Sequence, residues 1–160
     1  MGMLFDKQKG KRQNLHFKIY TYLKFNLGRY RDLKTPMLIQ LLRVKIQELI
    51  VIESSLSYPG SIALPEEIIE ASGLKIFEQV HVNNLTNGNR IITYVIKSKK
   101  NGFVSLNGAA SKKFNKGDKI HVLVFGYVNM YNEAEIAHPT IIYADATNRL
   151  IEVKEYAILE

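Results

Sequence analysis

Between residues 37 and 160 the chain is a succession of short runs rich in β-branched residues, cut by Asn and Gly turn signals, and this punctuation limits it to a mainly-β fold. Strands are predicted from Val44 to Glu53, Gln79 to Asn84, Arg90 to Lys97, Phe103 to Leu106, Lys119 to Val128 and Thr140 to Tyr143. Turns are predicted at Asn87-Gly88 and at Asn115-Lys116-Gly117-Asp118. Leu64 to Gly73 reads as a short helix: Pro65 sits in the first turn, Glu66 and Glu67 face the positive end of the dipole, and Gly73 terminates it. Glu133 to Pro139 reads as a linker before a last strand. Several short strands with one or two short helices indicate a small closed barrel, and 160 residues with 46% hydrophobic content suffice for one core.

The same residues exclude several chemistries. The chain has no cysteine, so disulfides, thiolate catalysis and cysteine-ligated zinc are excluded, which is compatible with a cytoplasmic protein. His16, His81, His121 and His138 are scattered without a metal-binding spacing, so no metal site is expected, and His121 reads as a strand residue facing a barrel rim or core. No GxGxxG, P-loop or GxSxG occurs, and no run approaches the ~20 apolar residues of a membrane span. The net charge of +7 is confined to residues 1 to 36, which hold nine Lys/Arg against Asp6 and Asp32, leaving 13 against 13 elsewhere. Within that segment Phe17, Tyr20, Leu23, Leu27 and Tyr30 fall at helical spacing, but Ile19, Tyr22 and Phe25 spoil the polar face. A loosely ordered extension, a basic helix touching anionic lipid, RNA or a partner, and a true start at Met37 are the three readings of it.

One dipeptide carries a chemistry of its own. In Ser57-Tyr58-Pro59-Gly60-Ser61, Pro59 fixes φ and Gly60 admits backbone angles closed to other residues, so the turn can hold the Gly60 carbonyl strained against the Ser61 hydroxyl. Attack by that hydroxyl converts the amide to an ester. β-Elimination then expels the Gly60 carboxylate and leaves dehydroalanine, and water releases ammonia from it to give a pyruvoyl group. Gly-Ser alone is an ordinary turn, and the neighbours supply the case.

Asn87-Gly88-Asn89-Arg90-Ile91-Ile92-Thr93-Tyr94-Val95-Ile96, Val104-Ser105-Leu106-Asn107-Gly108-Ala109-Ala110 and Lys45 lie around Gly60-Ser61 in one order, and together they resemble the pyruvoyl-dependent aspartate 1-decarboxylases from about Met37 to Lys154. The resemblance implies a double-psi β-barrel, a covalent pyruvoyl cofactor derived from Ser61, and cleavage between Gly60 and Ser61. Lys45 and Arg90 match the family's substrate-binding cations, Tyr58 a pocket residue, and Tyr94 the proton donor to the decarboxylated intermediate. Thr93 and Asn107 match groups tied to self-cleavage and pocket shape, and Gly108, Ala109 and Ala110 line the pocket. It further implies L-aspartate as substrate, β-alanine for pantothenate and coenzyme A synthesis as product, and a homotetramer of cleaved protomers with active sites between subunits. A maturation factor is a possible further partner; nucleic acid and membrane are not expected ones. The chain departs from the usual pattern at Pro59, where many members carry an acid, and at Gln47-Glu48, where many carry His-Arg.

These residue types suit the chemistry. A guanidinium grips a carboxylate by two parallel hydrogen bonds, an ammonium adds unoriented charge, and a phenol can return a proton to the carbon that lost CO2. Taken singly, Lys45 and Arg90 read as solvated cations, Tyr94 as a core aromatic and Asn107-Gly108 as a turn. Two other functions stay open at this level: an uncut, noncatalytic barrel that binds nucleic acid or a protein through residues 1 to 36, and a pyruvoyl decarboxylase of another amino acid. The former predicts salt-sensitive binding lost on deleting the extension; the latter predicts cleavage without β-alanine.

Overall fold

In the strand Lys119–Asn129, Ile120, Val122 and Val124 are fully buried while His121, Leu123 and Phe125 between them are only partly covered. This period of two sets the sides of the sheet, because successive side chains of an extended chain point to opposite faces. The computed structural model describes residues 37–57, 60–130 and 138–156. Tyr58, Pro59, the basic extension and most of the Glu133 to Pro139 linker lie outside the described residues. The chain divides into two units; residues 39–128 with 135–160 form the one treated below, and of the other only Met37, Leu38, Asn129 and Met130 are described.

The elements are β1 (Leu38–Ile50), β2 (Glu53–Ser55), β3 (Ser61–Leu64), α1 (Glu66–Ser72), β4 (Gln79–Asn84), β5 (Arg90–Lys97), β6 (Ser105–Asn107), a 3-10 turn (Gly108–Lys113), β7 (Lys119–Asn129), β8 (Thr140–Ala144) and β9 (Leu150–Glu155). The fold is mainly β with short helices, as the turn punctuation requires. Strand order is β2-β6-β3-β5-β4-β7-β1-β8-β9. β1 pairs with β8, β2 with β6 and β3 with β5 in parallel, whereas β3 with β6, β4 with β5 and β7, and β8 with β9 are antiparallel. β1 and β2 stand seventh and first in this order, yet only Val51 and Ile52 join them. The three Cα steps from Ile50 to Glu53 span roughly 11 Å at most, so the sheet curls until its first edge meets the end of β1. The core inside the curl holds Ile46, Leu49, Ile62, Leu64, Ile68, Leu106, Phe114 and Ile142, all fully buried.

Several boundaries differ from the sequence reading, each for a local reason. The expected single strand from Val44 to Glu53 is broken, because Val51 N–H donates to Asp118 O (2.9 Å), Gly117 N–H donates to Val51 O (2.8 Å) and Ile52 N–H donates to Val104 O (2.8 Å). Ser61–Leu64, read as turn and helix start, is a strand paired on both edges. Its four residues are too few for alternation to register. The predicted strand at Phe103 to Leu106 is shifted to Ser105–Asn107, and Pro65 caps α1 rather than entering its first turn. Gly73 closes the helix in the left-handed conformation at φ 62°. Thr140 to Tyr143 is not the last strand, since β9 follows it as an exposed edge whose charged sequence LIEVKE lacks the apolar alternation of the other strands.

Two polar clusters hold these connections. Asn84 donates its amide to Asp118 Oδ2 (2.6 Å) and Lys113 O (3.2 Å), and Asn87 and Asn89 also donate to Lys113 O (3.2 and 3.4 Å). The Asn-rich stretch thereby anchors the carbonyl end of the 3-10 turn. Asn148 is fully buried at φ 60°; its Oδ1 accepts from Ile50 N–H (2.7 Å) and its Nδ2 donates to Ile50 O and Gly102 O (both 2.9 Å). Asn148→Ala strands those backbone groups and keeps the costly φ. It is expected to lower unfolding free energy by about 2–4 kcal/mol in urea titration. A loss under about 0.5 kcal/mol would show that this side chain does not tie the β8–β9 turn to β1.

Candidate active site

Ser61 opens β3 and is paired with Asn107 of β6 directly opposite, while β5 runs parallel on the other side from the next residue on, Ile62 lying beside Val95. That register puts Tyr94 next to Ser61 across the β3–β5 pair. Ser61 is held at φ 99°, where a side chain costs about 1–3 kcal/mol. It is 3% exposed, and among the described residues its Oγ has no hydrogen-bond partner. Asn107, 2% exposed, has an Nδ2 that is likewise without a partner among the described residues. A buried polar atom without a partner costs about 1–3 kcal/mol, and two on facing residues mark a place kept for something other than stability.

The phenol of Tyr94 approaches the same peptide. A methyl group placed on Gly60 would stand 3.9 Å from Tyr94 Oη, so the hydroxyl lies over the Gly60 side of the Gly60-Ser61 bond. Ser61 and Ala63 on β3, Ser105 and Asn107 on β6, and Tyr94 and Ile96 on β5 share one face by register. A cavity of about 240 Å³ opens on this face beside Asn107, floored by Ala63, Ile96 and Ser105 and edged by Glu53, Lys99 and Lys100. Gly108, Ala109 and Ala110 follow Asn107 as the start of the 3-10 turn. Its position is fixed by Ser54 Oγ, which donates to Phe114 O (2.7 Å) and Ser111 O (3.1 Å), and by the asparagines on Lys113 O. Thr93 lies one residue from Tyr94, on the alternate face with Ile91 and Val95, and both line a shallow depression with Phe77. Tyr58 lies outside the described residues.

The two cations form a separate group. Arg90 starts β5, four residues or roughly 13 Å from Tyr94. Lys45 is on β1, four strand spacings or roughly 19 Å along the sheet from β3. Among the described residues no hydrogen bond or ion pair joins either cation to Ser61, Tyr94 or Asn107. Arg90 is opposite Asn83 on β4, Asn83 is opposite His121 on β7, and β1 lies beside β7. The row Arg90, Asn83 and His121 thus crosses three adjacent strands, and Lys45 is on the fourth. His121 has a pKa below the usual 6.5, first because it is partly buried and second because the Lys45 ammonium is close, with Glu48 pulling the other way. His121 and Asn83 were missed as site residues because a single sequence shows alternation along a strand but not register between strands.

With this geometry in view, comparison with known proteins settles the family. The aspartate decarboxylase family model matches residues 37–151. The chain is 40% identical over 115 residues to the aspartate 1-decarboxylase of Fervidobacterium nodosum, covering 71% of this chain and 97% of that one. It is 44% identical over 117 residues to that of Cytophaga hutchinsonii, covering 72% and 100%, and 36% identical over 118 residues to that of Bordetella pertussis, covering 72% and 95%. The chain belongs to the aspartate decarboxylase family.

The strain at Ser61 can be measured in variants that lack its hydroxyl. Ser61→Gly relieves the positive φ whereas Ser61→Ala keeps it, so the glycine variant is expected to be more stable by about 1 kcal/mol in chemical unfolding despite its greater unfolded-state entropy. An alanine variant more stable than the glycine one would refute strain at this residue.

Proposed function

We propose that this chain cleaves itself between Gly60 and Ser61 and, using the pyruvoyl group so formed, decarboxylates L-aspartate to β-alanine and CO2. The observation that carries this reading is Ser61: buried, at φ 99°, its hydroxyl unpartnered, in a chain of the aspartate decarboxylase family. The residues present fit the group, because Asn107 offers an unpartnered amide beside Ser61 and the adjoining cavity gives room for a small substrate. When formed, the pyruvoyl group supplies the electron sink that decarboxylation requires.

The chain's own residues do the rest. Oγ of Ser61 starts processing, and the pairing of β3 with both β5 and β6 keeps residue 61 in its high-energy conformation until the bond breaks. Thr93 and Asn107 orient the Gly60 carbonyl. Arg90 and Lys45 hold the two carboxylates of the diacid, and Tyr58, Gly108, Ala109 and Ala110 shape the pocket. Tyr94 Oη returns a proton to the carbon that has lost CO2, which its place over Gly60 supports.

Lys45 lies four strands from β3 around the sheet, and among the described residues no hydrogen bond or ion pair links it to Ser61, which supports a complete site built between protomers of a homotetramer. Phe77, Ile92 and Tyr127, 71%, 61% and 70% exposed, are large apolar side chains that support burial by another copy. A cytoplasmic location belongs to the same reading, and among the described residues no helix is long and apolar enough to cross a membrane.

Aspartate turnover followed by NMR tests the proposal. Ser61→Ala is expected to give no β-alanine, and Tyr94→Phe to lose most turnover while still carrying both fragments. β-Alanine from Ser61→Ala would overturn the pyruvoyl mechanism, and full turnover by Tyr94→Phe would remove the phenol from its role. At sub-saturating aspartate, co-expressed Ser61→Ala and Lys45→Ala chains, the first inactive alone and the second weakened in substrate binding, should recover about a quarter of wild-type activity if neighbours share a site. No recovery, with mixed tetramers present, would place the site within one chain.

A further inference from the structure

Between the two cations of the row stand a neutral amide and a histidine. Asn83 is opposite both Arg90 and His121, so the three side chains leave the sheet on one face. Lys45 lies on that face too, being half-buried between the fully covered Val44 and Ile46. We propose that His121 is a positioning and specificity residue for the diacid, bridging Lys45 and Arg90 and tightening the grip on a dicarboxylate when it gains a proton. This rests on the reading of Lys45 and Arg90 as substrate-binding cations and adds the member that responds to pH.

The surroundings of His121 support the role. On β7 its same-face neighbours are Lys119 and Leu123, on β4 it meets Asn83 with His81 one diagonal away, and from β1 the charges of Lys45 and Glu48 act on it. Glu48 is itself engaged, with Lys119 Nζ at 3.7 Å from its carboxylate. His121 has no hydrogen-bond or ion-pair partner among the described residues, so both ring nitrogens are open to a ligand. Burial and Lys45 keep the ring neutral in the free protein at neutral pH. A bound dicarboxylate opposes both cations and favours the imidazolium. By linkage, affinity for the dicarboxylate rises as pH falls through the range where the free ring is neutral and the occupied ring is charged.

The substrate makes this measurable. Both carboxylates of aspartate are ionised and its amine is protonated from about pH 5.5 to 7.5, so its charge does not change across the window. The wild-type KM for aspartate is expected to fall about three- to tenfold on going from pH 7.5 to 5.5, the size of one added charge at a partly solvated site. His121→Gln should flatten that dependence, with the larger effect on KM rather than kcat. His121→Lys, a fixed cation, should give a low KM at both ends. Arg90→Ala and Lys45→Ala are measured alongside, and intact mass checks that each variant has cleaved and therefore folded. If those two raise KM while His121→Gln keeps the wild-type pH slope, the role of His121 is refuted and the cation reading stands. If neither raises KM, the cation reading itself has failed.

Discussion

The clamp on residue 61 is the constraint on which the rest depends. Backbone pairing of Ser61 to Asn107 of β6, with the residues that follow it paired to both β5 and β6, holds Ser61 at a positive φ that an isolated turn would abandon. Those pairings exist only in the finished sheet, where β3 is a four-residue strand between elements more than 25 residues downstream of it. In the proposed self-processing, folding must therefore precede bond cleavage. The stability given up at Ser61 and Asn107 is small beside a core of some twenty buried apolar side chains, each contributing about 1.5–3 kcal/mol gross. Such a core can tolerate a local loss of a few kcal/mol at the place where chemistry is needed.

The second theme is division of labour. Ser61, Tyr94 and Asn107 form one compact group, and Arg90, Asn83, His121 and Lys45 form another along the same outward face. In the proposed enzyme the reacting bond is in the first, and the charge that selects a diacid is in the second. Tetramer assembly brings them together in the proposed enzyme, and this explains why the outer face carries Ile92, Phe77 and Tyr127 where an isolated monomer would carry polar residues. The asparagine cluster on Lys113 O serves the same end by setting the 3-10 turn that follows Asn107.

The sequence disclosed features whose cause is local. Alternation in Ile120 to Val124 and the turn residues at Asn87-Gly88 show strands and a hairpin without reference to distant residues. Gly60-Ser61 stood out for its chemistry and its motif neighbours. The features it hid are those that depend on partners far along the chain. β3 is a strand because β5 and β6 flank it, Asn148 takes positive φ because Ile50 and Gly102 offer hydrogen bonds, and His121 belongs to the cation row through a register that no single strand encodes. β9 escaped because an exposed edge needs no apolar period.

A denaturing intact-mass spectrum of the purified protein tests the central claim most directly. The account predicts two fragments, one ending at Gly60 and one beginning at residue 61 with a pyruvoyl group in place of serine. A single mass for the uncut chain, from folded protein incubated to completion, would contradict the claim that this fold breaks its own Gly60-Ser61 bond.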